Sequence, residues 1–326
     1  MSKVFLAKDI NPILDKLDLD KLGQSVGIKV HFGERGCTTY INPKLVRAVY
    51  NKVIASGRKV TLIECNVLYK GSRTNSTDHI KTAREHGFTE EIDILDGEQG
   101  DEYLDLDSCK VGRGLEKYDS LIILSHVKGH QAAGYGGAIK NLAMGLGSRA
   151  GKLDMHSNLK PSITPDCIGC GICARNCDVK AIAIENGQAV IDYNICVGCA
   201  MCIAVCPHNA VAVPWGGRTN EELQARMVEY TKAILKFRPQ TIYINVLEKV
   251  TALCDCIGAE QEPMMADVGI LYSNDLMAIE RASLDLLDKH SQGAFLGVNE
   301  VDKYKQLELA ESAGLGNGKY EIIELS

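Results

Sequence analysis

Four cysteines, Cys167, Cys170, Cys173 and Cys177, recur 29 residues later as Cys196, Cys199, Cys202 and Cys206. The flanks recur as well. Ala181-Ile182-Ala183-Ile184 aligns with Ala210-Val211-Ala212-Val213. Between the halves, Glu185-Asn186-Gly187-Gln188 reads as a turn joining two apolar strands, centred on Asn-Gly. Each half is thus a cysteine loop, a short turn or helix, and a strand. Thiols this dense either pair as disulfides or hold an inorganic group. Disulfides suit exported chains, and the opening MSKVFLAKDINP lacks the apolar stretch of a secretory signal. The spacing is that of ligands, which implies a cytoplasmic protein with a bound cofactor.

The pattern C-x2-C-x2-C-x3-C has a stereochemical logic. Three thiolates from one tight loop grip three irons of one cubane face. The fourth lies too far along to close the same site and reaches the other cluster. The spacing therefore predicts two [4Fe-4S] clusters. One takes Cys167, Cys170, Cys173 and Cys206, and the other takes Cys196, Cys199, Cys202 and Cys177. Small residues at Gly169, Gly171, Gly198 and Ala200 let backbone N–H groups approach the sulfurs. Structural zinc more often uses C-x2-C pairs across a gap, without the central third cysteine. Residues 161–214 resemble bacterial-type 2[4Fe-4S] ferredoxin domains. That resemblance implies low-potential one-electron transfer and a redox partner protein. Pro207 follows the second run as in that motif, whereas Asp178 stands where proline is expected after the first.

The remainder reads as α/β. Gly27–Gly33, Lys59–Cys65, Ser120–Val127 and Gln240–Leu247 are predicted strands. Pro43–Ser56, Thr77–His86, Asn220–Lys236 and Asp275–Lys289 show helical spacing of apolar residues. Strands alternating with helices predict a mostly parallel, layered sheet. The plan is a main α/β domain in two parts, residues 1–160 and 215–326, interrupted at 161–214 by a small α+β ferredoxin-like insert.

A second dense region, Ser125–His156, follows the predicted buried strand. Ligands of open α/β sheets bind beyond the C-terminal strand ends, which is where His126, Lys128 and His130 fall. Glycines at 134, 136 and 137 permit close backbone approach, Lys140 lies early on a helix, and His156 comes later. Such a set suits an anion, a metal, or acid–base work. Scattered hydrogen-bonding histidines are the simpler alternative. Cys254-Asp255-Cys256 is a tight pair that suits a metal with help from Asp267 or a histidine, a redox dithiol, or plain burial. Cys37, Cys65 and Cys109 read as core, and Glu34 with Arg35 as a solvated pair.

Phe32–Pro43, Glu64–His79, the His/Lys segment and Cys254–Leu286 resemble an uncharacterised family of iron–sulfur-centre proteins. Its members carry a domain of unknown function interrupted by a ferredoxin insert. The main domain also resembles, more distantly, the nickel-pincer lactate racemase family. There a His, a Lys ten residues on and a His sixteen further serve catalysis, cofactor attachment and metal ligation. His130, Lys140 and His156 share that spacing, which makes His130 and Lys140 the catalytic candidates that the resemblance implies. A further histidine of that family has no counterpart at Gly71-Ser72-Arg73.

The formal net charge of −6 argues against a generally basic nucleic-acid binder, and no apolar run suits a membrane span. The expected function is single-electron transfer through two clusters, the α/β domain docking a partner or holding a second site. An enzyme fed by the clusters, acting on a small molecule with an additional metal or cofactor, is the first alternative. A redox sensor is the second.

Overall fold

Ser120–His126 (SLIILSH) is buried along its whole length, as a near-continuous apolar run requires of a strand covered on both faces. Alternate residues feed opposite layers. Leu121 and Ile123 enter one core, and Ile122 and Leu124 the other. The computed structural model describes all 326 residues. It places this strand inside an eight-stranded sheet. The strand order is Tyr320–Glu324, Ser2–Ala7, Gly269–Ser273, Thr241–Leu247, Ser120–His126, Ser25–Lys29, Lys59–Glu64 and Ile92–Ile94. Gly269–Ser273 runs antiparallel to both its neighbours, and every other pairing is parallel. The protein is therefore a mixed α/β fold built on a large, mostly parallel sheet.

Helices cover both faces. On one side, Pro43–Ala55 opens with proline in its first turn and the Asn42 side chain capping Lys44 N–H. Leu45, Val46, Val49 and Val53 form its buried stripe. On the other side, Asn220–Phe237 starts with a reciprocal Thr219/Glu222 capping box. It packs against Ala138–Leu146, which in turn packs against Leu276–His290, and all three feed the larger core.

Two sequence expectations need correction. The strand expected at Gly27–Gly33 spans Ser25–Lys29, because residues 30–33 leave the sheet at its C-terminal edge. The glycine-rich stretch forms a short hairpin, Lys128–His130 with Gly134–Gly136, followed by the helices Ala138–Leu146, with Lys140 in its first turn, and Arg149–His156. Glu34 is not a solvated residue: it is 7% exposed and receives hydrogen bonds from Ser72, Tyr69 and Arg73.

The cysteine segment begins and ends side by side, since Ser162–Ile163 pairs antiparallel with Val211–Ala212. Its central hairpin, Ile182–Glu185 with Gln188–Ile191, turns through Asn186 and Gly187, both at positive φ. The sequence repeat is also a conformational repeat. Short helices start at Ile172 and Met201, each capped by a left-handed residue, Gly171 at φ 73° and Ala200 at φ 61°. Lys180 and Asn209 share positive φ in the same way. A small core joins Cys173, Cys202, Cys206 and Ile203 to Leu68 and Leu153 of the surrounding α/β structure. No helix in the protein is long and apolar enough to cross a membrane.

Candidate functional site

The C-terminal ends of the parallel strands define where side chains can converge. Successive strands from Ser25–Lys29 run outward through Lys59–Glu64 to Ile92–Ile94, whereas Ser120–His126 and Thr241–Leu247 extend the other way. The reversal leaves a crevice beyond Lys29 and His126, the usual binding position in such sheets. A cavity of about 460 Å³ lies there. His126, Lys128, His130, Lys140, His156, Cys254 and Cys256 all line it, although they come from two stretches of chain about a hundred residues apart. His31, Glu64, Arg73 and Lys152 line it too, and sequence reasoning missed them. The signal for His31 and Glu64 was their position at the ends of predicted strands.

Buried ion pairs frame the floor. Lys29 Nζ lies 2.8 Å from Glu64 Oε1, both side chains almost fully inaccessible, and donates to Asn141 Oδ1 at 2.7 Å. Asn141 in turn donates to Leu124 O at 3.0 Å. Gly145 lies against this pair, and a methyl group there would collide with the Lys29 ammonium unless that side chain shifted. Glu64 Oε2 is buried, faces no partner, and belongs to the cavity lining.

Asp255 organises a second buried network. His126 Nδ1 donates to it at 2.8 Å, Lys128 Nζ at 2.9 Å and Thr39 Oγ1 at 3.1 Å. Burial alone would raise its pKa, but His126 and Lys128 outweigh burial and hold the carboxyl well below its usual range. Asp267, suggested by sequence as a companion for the cysteine pair, instead accepts from Lys249 N–H at 2.6 Å.

Three imidazoles of the cavity are pushed toward the neutral form. Burial, then the Arg73 guanidinium, pushes His31 down. Burial, then the Lys140 charge, pushes His130 well down. The same two causes bring His156 to about 4. His130 Nδ1 accepts from Ala133 N–H at 3.0 Å and Ala132 N–H at 3.2 Å, so its ring proton sits on Nε2. His156 stands edge-on to Trp215, ring centroids 4.8 Å apart. Lys140 and Lys152 reach the cavity without a carboxylate partner, Lys152 donating only to Gly147 O at 2.6 Å.

The eight repeated cysteines sort into two hollows. One is lined by Cys167, Cys170, Cys173 and Cys206. The other is lined by Cys177, Cys196, Cys199 and Cys202. Backbone N–H groups point at three of the sulfurs: Ala189 at Cys167 (3.3 Å), Ala181 at Cys177 (3.2 Å) and Ala210 at Cys206 (3.3 Å). Ala181 and Ala210 are repeat partners. Nowhere do three or more His, Cys, Asp or Glu side chains converge as a lone metal ion needs. Each cysteine set surrounds a space instead. Leu68 joins the two regions, since it packs in the core with Cys173 and Cys206 and also lines the large cavity. Lys70 Nζ bonds Cys206 O at 3.4 Å from the same stretch.

These features define an α/β protein with a cationic, thiol-bearing cavity at the reversal point of its sheet and two four-cysteine hollows beside it. The chain belongs to the family described as a domain of unknown function (DUF362), whose family model matches residues 26–285. No curated protein matches it. Among solved structures, it is similar to a protein from Thermotoga maritima at 11% identity and TM-score 0.41, over 87% of this chain and 58% of that one. It is also similar to the lactate racemase apoprotein from Thermoanaerobacterium thermosaccharolyticum at 13% identity and TM-score 0.36, over 76% of this chain and 50% of that one. The chain thus spans half to three fifths of the length of these two structures.

Proposed function

We propose that the protein binds two [4Fe-4S] clusters in the cysteine segment and passes single electrons to a small anionic molecule held in the His/Lys cavity. The observation that carries this reading is the sorting of eight cysteines into two hollows in the crossed pattern that the spacing demands. The donor set fits: all thiols, in apolar surroundings, with backbone N–H groups aimed at sulfur. When bound, such clusters supply electrons one at a time at low potential.

The chain's own residues prepare the cavity. Lys140 and Lys152 attract an anion. Neutral His130 presents its Nε2 proton to a bound acceptor, and Glu64 Oε2 accepts from a bound donor. Asp255 fixes His126 and Lys128 on the wall. Leu68 excludes water between the cysteine segment and the cavity. Exposed apolar residues on the cysteine loops, Ile168 at 63% and Val197 at 50%, give a redox partner protein a surface to dock on.

The test is elemental analysis of anaerobically purified protein for iron, sulfide, nickel, zinc and cobalt, with electron paramagnetic resonance after reduction. About eight irons and eight sulfides per chain are expected from two cubanes. Fewer than about four irons overturns the reading.

A further inference from the structure

The Cys254-Asp255-Cys256 turn has no part in the reading above beyond its middle residue. Both thiols line the cavity, and their Sγ atoms are 2.6 Å apart. Asp255 points the other way, into the network of His126, Lys128 and Thr39. The backbone is tied as well: Asp255 O accepts from Glu34 N–H at 2.8 Å, and Cys256 O from Tyr69 Oη at 3.2 Å. A turn anchored so firmly on its far side holds both sulfurs toward the cavity and within bonding reach of one another.

We propose that Cys254 and Cys256 form a reversible dithiol–disulfide couple that collects two of those single electrons, one through each cluster site, and delivers them as a pair to the small anionic molecule of the cavity, a disulfide. The source of the electrons rests on the iron–sulfur reading; the couple itself does not. Two one-electron sites match one two-electron acceptor. On reduction, two electrons enter and the Sγ–Sγ bond breaks. One proton goes to Cys254 Sγ, and Cys256 remains a thiolate. In the return step the Cys256 thiolate attacks one sulfur of the substrate disulfide. The departing sulfur takes the Cys254 proton. Cys254 then closes on Cys256 Sγ and releases the second substrate sulfur as thiolate.

The surroundings suit this division of labour. The hydrogen bond from Cys254 holds Cys256 well below the usual thiol range against the effect of burial, helped by Lys140 and His31. The same shared hydrogen bond, with burial, pushes Cys254 up. Cys256 is thus the attacking sulfur and Cys254 the proton carrier and resolving sulfur.

The tryptic peptide Val250–Arg281 contains no other cysteine, so its labelling reports on this pair alone. Whole protein with its clusters is equilibrated anaerobically in mixtures of reduced and oxidised dithiothreitol, quenched in acid, alkylated with N-ethylmaleimide and digested. The peptide is expected without label at the oxidising end and with two labels at the reducing end, through one two-electron transition. Cys254→Ser and Cys256→Ser proteins are expected to carry one label at every ratio, with their visible cluster absorbance intact. Dithionite with a viologen mediator is expected to reduce the pair at least tenfold more slowly in Cys206→Ser, while dithiothreitol reduces it equally in both proteins. Two labels on the wild-type peptide at every ratio overturns the couple and leaves the iron–sulfur reading standing. Equal dithionite rates in wild type and Cys206→Ser overturn the route of the electrons. A two-electron transition in protein that holds no iron overturns the iron–sulfur reading and leaves the couple.

Discussion

Asp255 Oδ2 lies 2.8 Å from His126 Nδ1, although 129 residues separate them in the chain. The contact fastens the turn after the Thr241–Leu247 strand to the end of the Ser120–His126 strand. It closes one side of the cavity across the two halves of the α/β structure.

Asp255→Asn leaves His126 and Lys128 facing a neutral amide in a fully buried setting. Breaking such a pair by removing one partner typically loses about 3–5 kcal/mol. Urea unfolding at neutral pH should show a loss of that order. Because the folded pKa of Asp255 is depressed, its contribution is present above the unfolded carboxylate value of about 3.9 and is lost as pH falls through the folded value. Wild type should therefore weaken more than Asp255→Asn as pH drops below about 4. Parallel acid profiles in the two proteins would refute this.

His156 carries the opposite kind of charge with a related outcome. Its pKa falls from 6.5 to about 4 on folding, so the unfolded chain binds the proton first. Stability from this group is full above 6.5 and declines as pH falls toward 4. Selective imidazole labelling and NMR should show the ring neutral at pH 5.5. A ring that is half protonated near pH 6.5 would contradict the burial argument.

Lys29 and Glu64 form the other buried pair. Glu64→Gln should cost about 3–5 kcal/mol by stranding the ammonium. Gly145→Ala should cost about 1–3 kcal/mol by pushing a methyl group into Lys29. Chemical denaturation of both proteins gives the comparison. Neutral behaviour of Gly145→Ala would mean that the ammonium has room to move.

Cys206→Ser tests the crossed arrangement directly. Its sulfur lines the hollow of Cys167, Cys170 and Cys173, not that of its sequence neighbours Cys199 and Cys202. On the proposed iron–sulfur reading the variant should lose or distort one cluster, about four of eight irons, while Cys177→Ser affects the other. Paramagnetic resonance with both variants separates the two signals. Identical spectra from the two variants would sink the assignment.

Leu68→Ala removes the side chain between the cysteine core and the cavity. Loss of a buried leucine costs about 2–5 kcal/mol, and the opening admits water beside Cys206. Stability and cluster reduction potential should both change, read by urea unfolding and mediated titration. A change in stability alone would deny Leu68 any electronic role.

The sheet was legible where burial on both faces wrote a continuous apolar run, as at Ser120–His126 and Thr241–Leu247. Paired strands at the margin were not. Ser2–Ala7 and Tyr320–Glu324 are partly exposed, so neither shows clean alternation, and their parallel pairing joins the two ends of the chain. The Asn-Gly hairpin was legible because two consecutive positive φ angles demand such residues. In the cavity, the seven candidates stood out by residue type within dense stretches. His31, Glu64 and Arg73 did not, because each is single in its own stretch and gains meaning only from partners far away in sequence. Glu34 misled for the same reason: its neighbour Arg35 pairs with Glu85 at the surface, whereas Glu34 turns inward to Arg73.

The lateral pairing of Ser162–Ile163 with Val211–Ala212 fixes the two crossings into the cysteine segment next to each other. The segment is held at this narrow neck and by the packing of Leu68 and Leu153 against its cysteine core, and Trp215, just past the neck, borders the cavity against His156. The exit of the cysteine segment and the wall of the cavity thus meet in one side chain, Trp215.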